Sequence, residues 1–134
     1  MNSCYLDASA LVKLVTHETE TATLRAHLDR YAGRSTSRLA AVEVPRALAR
    51  KGPASHASAN ESWRQILERL LIVELNAEIA QTASLLEPRL LRSLDAVHLA
   101  SAISLGDELE AFITYDLRLA DAARGAGLTV LAPA

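Results

Sequence analysis

Short apolar runs alternate along this chain with longer stretches in which hydrophobic residues recur at helical spacing. Residues 4–6 form an apolar run that stops at Asp7, and from Ser9 onward Ala10, Leu11, Leu14 and Val15 share one helical stripe. The pattern predicts a strand, an acidic turn and a helix beginning near Ser9. A second amphipathic helix is expected over residues 20–31, with Leu24, His27, Leu28 and Tyr31 on one face and Gly33 ending it. Residues 34–36 are a weaker strand. Ser37 has the residue type of an N-cap for a third helix through Leu39, Val42, Arg46 and Leu48 to Lys51, stopped by Gly52 and Pro53. Pro45 lies inside that helix and predicts a kink or a freed carbonyl near Ala41.

The second half repeats the alternation. Small residues at 52–60 suggest a linker, followed by a helix near 61–70 and a strand at 71–75. Asn76 is placed to cap the next helix, which Pro88 interrupts; Ser93 is placed to cap another, carrying Val97, Leu99, Ala100 and Ile103 and closed by Gly106. A strand at 111–114, a helix opened by Asp116 and a strand at 128–131 complete the chain. Such alternation argues for an α/β fold in one domain, residues 1–134, with a parallel sheet joined by right-handed crossovers.

Ligands of parallel sheets bind beyond the carboxyl ends of the strands. Asp7 and Asp116 each close a strand, Asp95 falls in the first turn of a late helix, and Glu43 sits in the third helix. At a separation of about 5 Å and an effective dielectric of about 20, each like-charge pair among them costs about 3 kcal/mol. A cluster of that kind requires a cation or protons. Hard carboxylate oxygens, without His or Cys in zinc-like spacing, select Mg²⁺ or Mn²⁺. Taken singly, each aspartate could equally be a helix cap, and Ser9 could be either a cap or a polar support of the site. Between Val97 and Leu99, His98 reads as a packed or partner-facing residue and not as a ligand. Asp121, within an amphipathic helix, reads as solvent-facing or ion-paired. Arg38, Arg46, Arg50 and Lys51 read as a solvated helix face.

Composition narrows the class. Half of the 134 residues are hydrophobic, 22% are charged and aromatics make up 4%, which fits a folded chain of closely packed helices and sheet. The formal charge of −2 gives no global basic signature, so attraction to nucleic acid would have to come from local arginines. No cationic leader with an apolar core, and no apolar run of the roughly 20 residues a membrane helix needs, is present; a cytoplasmic protein without membrane contact is expected. Cys4, the single cysteine, reads as a buried thiol.

Four phrases carry these residues in order: L-D-A-S-A-L at residues 6–11, A-V-E-V-P-R-A-L at 41–48, S-L-D-A-V-H-L-A-S-A at 93–102, and I-T-Y-D-L-R-L-A-D-A-A at 113–123. Together they resemble the PIN-domain ribonucleases, most closely the VapC toxins of bacterial type II toxin–antitoxin pairs, over essentially the whole chain. The resemblance implies a three-layer PIN-like fold, with a parallel sheet of about five strands in the order 3-2-1-4-5 between helices. It implies metal ligation by Asp7, Asp95 and Asp116, with Glu43 completing the acidic quartet and Ser9 and Thr114 in support. It further implies Mg²⁺- or Mn²⁺-dependent RNA cleavage, a homodimer, and control by a cognate VapB-like antitoxin. The stripe of Leu11, Leu14 and Val15 is a candidate surface for such contacts. Three other classes fit the residues less well. A receiver-like phosphoacceptor module lacks its paired acids and a terminal lysine; a haloacid-dehalogenase-type phosphatase lacks the second aspartate after Asp7; a catalytically silent PIN-fold interaction protein is disfavoured by the full quartet.

Overall fold

The computed structural model describes residues 2–134, with residues 54–56 described by their backbone alone. The strands are β1 (Ser3–Leu6), β2 (Gly33–Ser37), β3 (Leu71–Val73), β4 (Leu109–Ile113) and β5 (Val130–Leu131). The helices are α1 (Ala8–Val15), α2 (Thr21–Leu28), α3 (Ala40–Arg50), α4 (Pro53–Leu67), α5 (Ala77–Leu85), α6 (Ser93–Ile103) and α7 (Leu117–Gly125). All strand pairs are parallel, and the sheet order is 3-2-1-4-5, as the family resemblance implied.

Strand parity builds the three layers. Cys4 and Leu6 of β1 join Ala111 and Ile113 of β4 in a core with α1, α2, α3 and α4. The intervening Tyr5 and Phe112 turn to the opposite face and pack with Leu99, Leu119 and Ala123 of α6 and α7. Each fully buried leucine or phenylalanine contributes roughly 1.5–3 kcal/mol. Leu11, Leu14 and Val15 belong to the first of these cores and are buried by the chain's own helices, so the expectation that this stripe is free for partners is not met.

β2, expected only weakly over residues 34–36, is faint in sequence because its buried residues Ser35, Thr36 and Ser37 are polar. The sheet satisfies them: Ser35 Oγ donates to the Cys4 carbonyl at 2.9 Å and Thr36 Oγ1 to the Leu6 carbonyl at 2.7 Å. Ser37 closes this strand instead of capping α3; its hydroxyl accepts from the Leu39 N–H, and the helix starts at Ala40. α3 continues through Pro45, which supplies no N–H to the Ala41 carbonyl.

Other boundaries also move. Residues 53–60 are helical, not a linker: Pro53 occupies the first turn of α4, where a missing N–H costs nothing, and the break from α3 is made by Gly52 at φ +104°. Gly33 opens β2, and α2 has already ended at Leu28. Ser93 is the first residue of α6 and exposed, with Arg92 at the cap position. Asn76 does cap α5, accepting from the Ile79 N–H at 2.9 Å. No described helix is long and apolar enough to cross a membrane.

Candidate active site

The register of the central strands creates the site. Leu6 of β1 lies opposite Ile113 of β4, so the next residues, Asp7 and Thr114, emerge side by side at the carboxyl edge of the sheet. Both are buried. Asp7 is the N-cap of α1, a place the sequence leaves open between it and Ser9: Asp7 Oδ1 accepts from the Ala10 N–H at 3.0 Å and from Ser9 Oγ at 2.7 Å. Thr114 Oγ1 donates to Asp7 Oδ2 at 2.6 Å. Ser9 and Thr114 approach to 3.4 Å, but each hydroxyl already gives its proton to Asp7. Burial pushes the Asp7 carboxyl above its ordinary value, opposed by the bonds from Thr114, Ser9 and the Ala10 amide.

The same hydroxyls carry the cluster on to Asp116. Thr114 Oγ1 accepts from the Asp116 N–H at 3.1 Å, and Ser9 Oγ accepts from the Tyr115 N–H at 3.0 Å. Asp116 caps α7, with Oδ1 accepting from the N–H groups of Arg118 and Leu119 at 2.9 and 3.1 Å. Its second oxygen is thereby left to face the cleft. There Arg92, at the start of α6, spans two carboxylates: Nη2 reaches Asp116 Oδ2 at 3.1 Å and Nε reaches Asp95 Oδ2 at 3.2 Å. The Arg92 side chain is 67% exposed, against 15% for Asp95 and 24% for Asp116.

Glu43 is held apart from this set. Its Oε1 lies 2.6 Å from His98 Nε2, and His98 Nδ1 lies 2.7 Å from the Tyr5 hydroxyl. Asp7, Ser9, Thr114 and Asp116 thus form one hydrogen-bonded group, Asp95 joins it through Arg92, and Glu43 is tied to α6 through His98. Among the described residues no three His, Cys, Asp or Glu side chains stand together as a finished metal cage. The donor set nevertheless suits a hard divalent cation: it is made of carboxylate and hydroxyl oxygens, and a guanidinium already bridges the Asp95–Asp116 pair where positive charge is needed. Ser9 and Glu43 also line an open groove of about 630 Å³ between α1 and α3, shared with Arg46, Arg50 and Lys51.

His98 is buried, as its apolar neighbours suggested, and Asp121 is exposed with Arg124 at 3.5 Å. Arg38 is exposed and paired with Glu74 at 2.6 Å. Arg92 and the bonding role of His98 escaped the sequence reading. The three-residue step from Arg92 to Asp95 at a helix start is a local signal that could have found the first. The second depends on Tyr5, which is 93 residues away.

The fold agrees with comparisons to known proteins. The PIN domain family model matches residues 4–125. Ribonuclease VapC46 of Mycobacterium tuberculosis is 42% identical over 133 residues, covering 99% of each chain. Ribonuclease VapC47 of the same species is 40% identical, covering 96% of each. Among solved structures, M. tuberculosis VapC20, described as a sarcin–ricin loop cleaving toxin, superposes with a TM-score of 0.72 at 17% identity, covering 97% of this chain and 99% of that one. VapBC2 from Rickettsia felis, bound to a DNA fragment from its promoter, also gives 0.72, at 14% identity with 98% and 99% covered. The chain belongs to the PIN-domain family, among its VapC-like members.

Proposed function

We propose that this chain is a metal-dependent endoribonuclease, acting as the toxin of a VapBC-type pair with RNA as substrate and a VapB-like antitoxin as its inhibitor. The observation that carries the reading is the oxygen-only cluster at the carboxyl edge of the sheet, in a chain 42% identical over its length to a protein named as a ribonuclease.

Asp7, Asp95 and Asp116, with Glu43 as the fourth carboxylate, would hold Mg²⁺ or Mn²⁺. Bound there, the ion would polarise a phosphoryl oxygen and make a water more acidic. The protein's own part is orientation. Thr114 and Ser9 keep both oxygens of Asp7 in fixed directions, and the α7 N-terminus does the same for Asp116. Arg92 is exposed enough to swing off the two aspartates and meet a phosphate bidentately. Exposed Arg46, Arg50 and Lys51 give the neighbouring groove its positive charge, so the substrate backbone can lie there while the acidic cluster faces the scissile bond. A homodimer is part of the proposal; its apolar contacts must come from side chains left exposed, such as Leu85, Leu90 and Leu117.

The test is cleavage of RNA by purified protein. Activity should stop with EDTA, return with Mg²⁺ or Mn²⁺, and be absent from Asp116→Asn. Cleavage that persists in metal-free buffer, or that Asp116→Asn retains, overturns the reading. Co-purification with the product of an adjacent small reading frame tests the pairing, and full activity in that complex would sink the inhibitory role.

A further inference from the structure

We propose, on the nuclease reading above, that His98 backed by Tyr5 is the positioning residue for Glu43. A histidine in an apolar interior is costly unless both ring nitrogens find partners. His98 is 1% exposed and both are satisfied, Nε2 by Glu43 Oε1 at 2.6 Å and Nδ1 by the Tyr5 hydroxyl at 2.7 Å. An ionised carboxylate accepts and cannot donate, so Nε2 carries the proton. In the neutral ring Nδ1 then accepts from the Tyr5 O–H, and every hydrogen bond in the chain points toward Glu43.

The anchor is rigid at its far end. Tyr5 is fully buried, its ring stacked on Phe112 at 5.3 Å between centroids and 7° between planes. It lies on β1 two residues before Asp7, so the strand that delivers Asp7 also sets the height of the hydroxyl. His98 is one helical turn beyond Asp95 on α6. Glu43 alone comes from an element outside this frame, two residues before Pro45 in a helix that lacks one backbone hydrogen bond. A glutamate on α3 would otherwise sample several rotamers over the cleft. With Oε1 fixed, Oε2 is the oxygen left for the site.

A histidine that is merely well packed would support the fold without acting through Glu43, and a double-mutant cycle separates the two roles. Steady-state RNA cleavage is measured at saturating Mn²⁺ for wild type, Tyr5→Phe, His98→Leu, His98→Gln, Glu43→Gln, and the first two changes combined with Glu43→Gln. Tyr5→Phe and His98→Leu should lower kcat roughly 10–100-fold with little change in KM, the range typical of residues that orient a ligand. They should add nothing once Glu43 is Gln. His98→Gln, whose amide can still donate to Glu43, should recover part of the loss. Losses that multiply in the cycle, or a Tyr5→Phe protein with wild-type kcat, overturn the proposal. Tyr5→Phe keeps the ring on Phe112, so the test stands even if His98→Leu does not fold.

A second readout uses no activity. In metal-free protein the His98 Nε2 proton should give a downfield NMR signal that moves sharply in Glu43→Gln and moves in Tyr5→Phe. If neither variant shifts it, the positioning link is wrong whatever the enzyme does. Should wild type cleave no RNA while the signal responds as expected, the nuclease reading falls and the positioning of Glu43 stands.

Discussion

Asp7 and Asp116 each divide their two carboxylate oxygens between a helix N-terminus and a second side chain. In both, Oδ1 accepts the N–H groups that open a helix, and Oδ2 is directed elsewhere, toward Thr114 in one case and Arg92 in the other. Capping and site-building are therefore one arrangement, and a strand-end aspartate need not be assigned to one role or the other. The arrangement has a cost that can be measured at Asp7. Burial raises its pKa in the fold, so its favourable contribution is complete below the unfolded value near 3.8 and is lost as pH rises through the folded value. Asn is not subject to that loss and keeps the oxygen that caps α1. In metal-free buffer Asp7→Asn should match or exceed wild type in Tm at neutral pH, with its advantage shrinking as the solution is acidified. RNA cleavage by the same variant should fall by roughly 10²-fold or more. A lower Tm at pH 7 would mean that the three hydrogen bonds to Asp7 outweigh its burial.

At the scale of elements, a cap is a claim about one hydrogen bond, and two positions with similar sequence signals differ in whether they make it. Asn76 accepts from Ile79, whereas Ser93 is exposed and already inside α6. Asn76→Ala should cost about 1 kcal/mol in urea unfolding, while Ser93→Ala should stay within about 0.5 kcal/mol; equal costs would refute the assignment. The strands show what made elements legible. β1 and β4 announce themselves by apolar residues that both faces of the sheet bury, and their ends at Asp7 and just before Thr114 follow. β2 offers Ser35, Thr36 and Ser37, which no local pattern marks as interior, because the carbonyls that satisfy Ser35 and Thr36 belong to a strand some thirty residues earlier. The first half of α4 looks like a linker because alanine and serine are neutral signals, while its second half shows as helix; the informative residue is Pro53, compatible with a first turn as well as with a stop.

Across the whole molecule, the alternation of elements pointed to a parallel sheet whose strand ends carry Asp7 and Asp116, and the family resemblance carried by the four acidic phrases supplied the three layers and the strand order. Contacts that join distant elements through side chains were not legible, since nothing near His98 names Tyr5 or Glu43. Charge follows the same rule of scale. The net charge of −2 says little about nucleic acid, because what matters is that Arg46, Arg50 and Lys51 share one groove with Glu43 and Ser9. If an RNA strand lies in that groove, each phosphate neutralised by these side chains releases counterions, and log K should fall with log salt by about 0.7 per contact. Binding of a short RNA to the inactive Asp116→Asn protein, followed by fluorescence anisotropy between low and moderate salt, reads that slope directly. Adding Arg46→Gln and Arg50→Gln should weaken binding and flatten the slope by roughly 1 to 1.5, with the loss shrinking as salt rises. Neutralising the exposed Arg124, which pairs with Asp121 outside the groove, should leave the slope unchanged. Equal effects from the two sets would mean that RNA is held by general surface charge, and the groove would lose its role in placing the substrate.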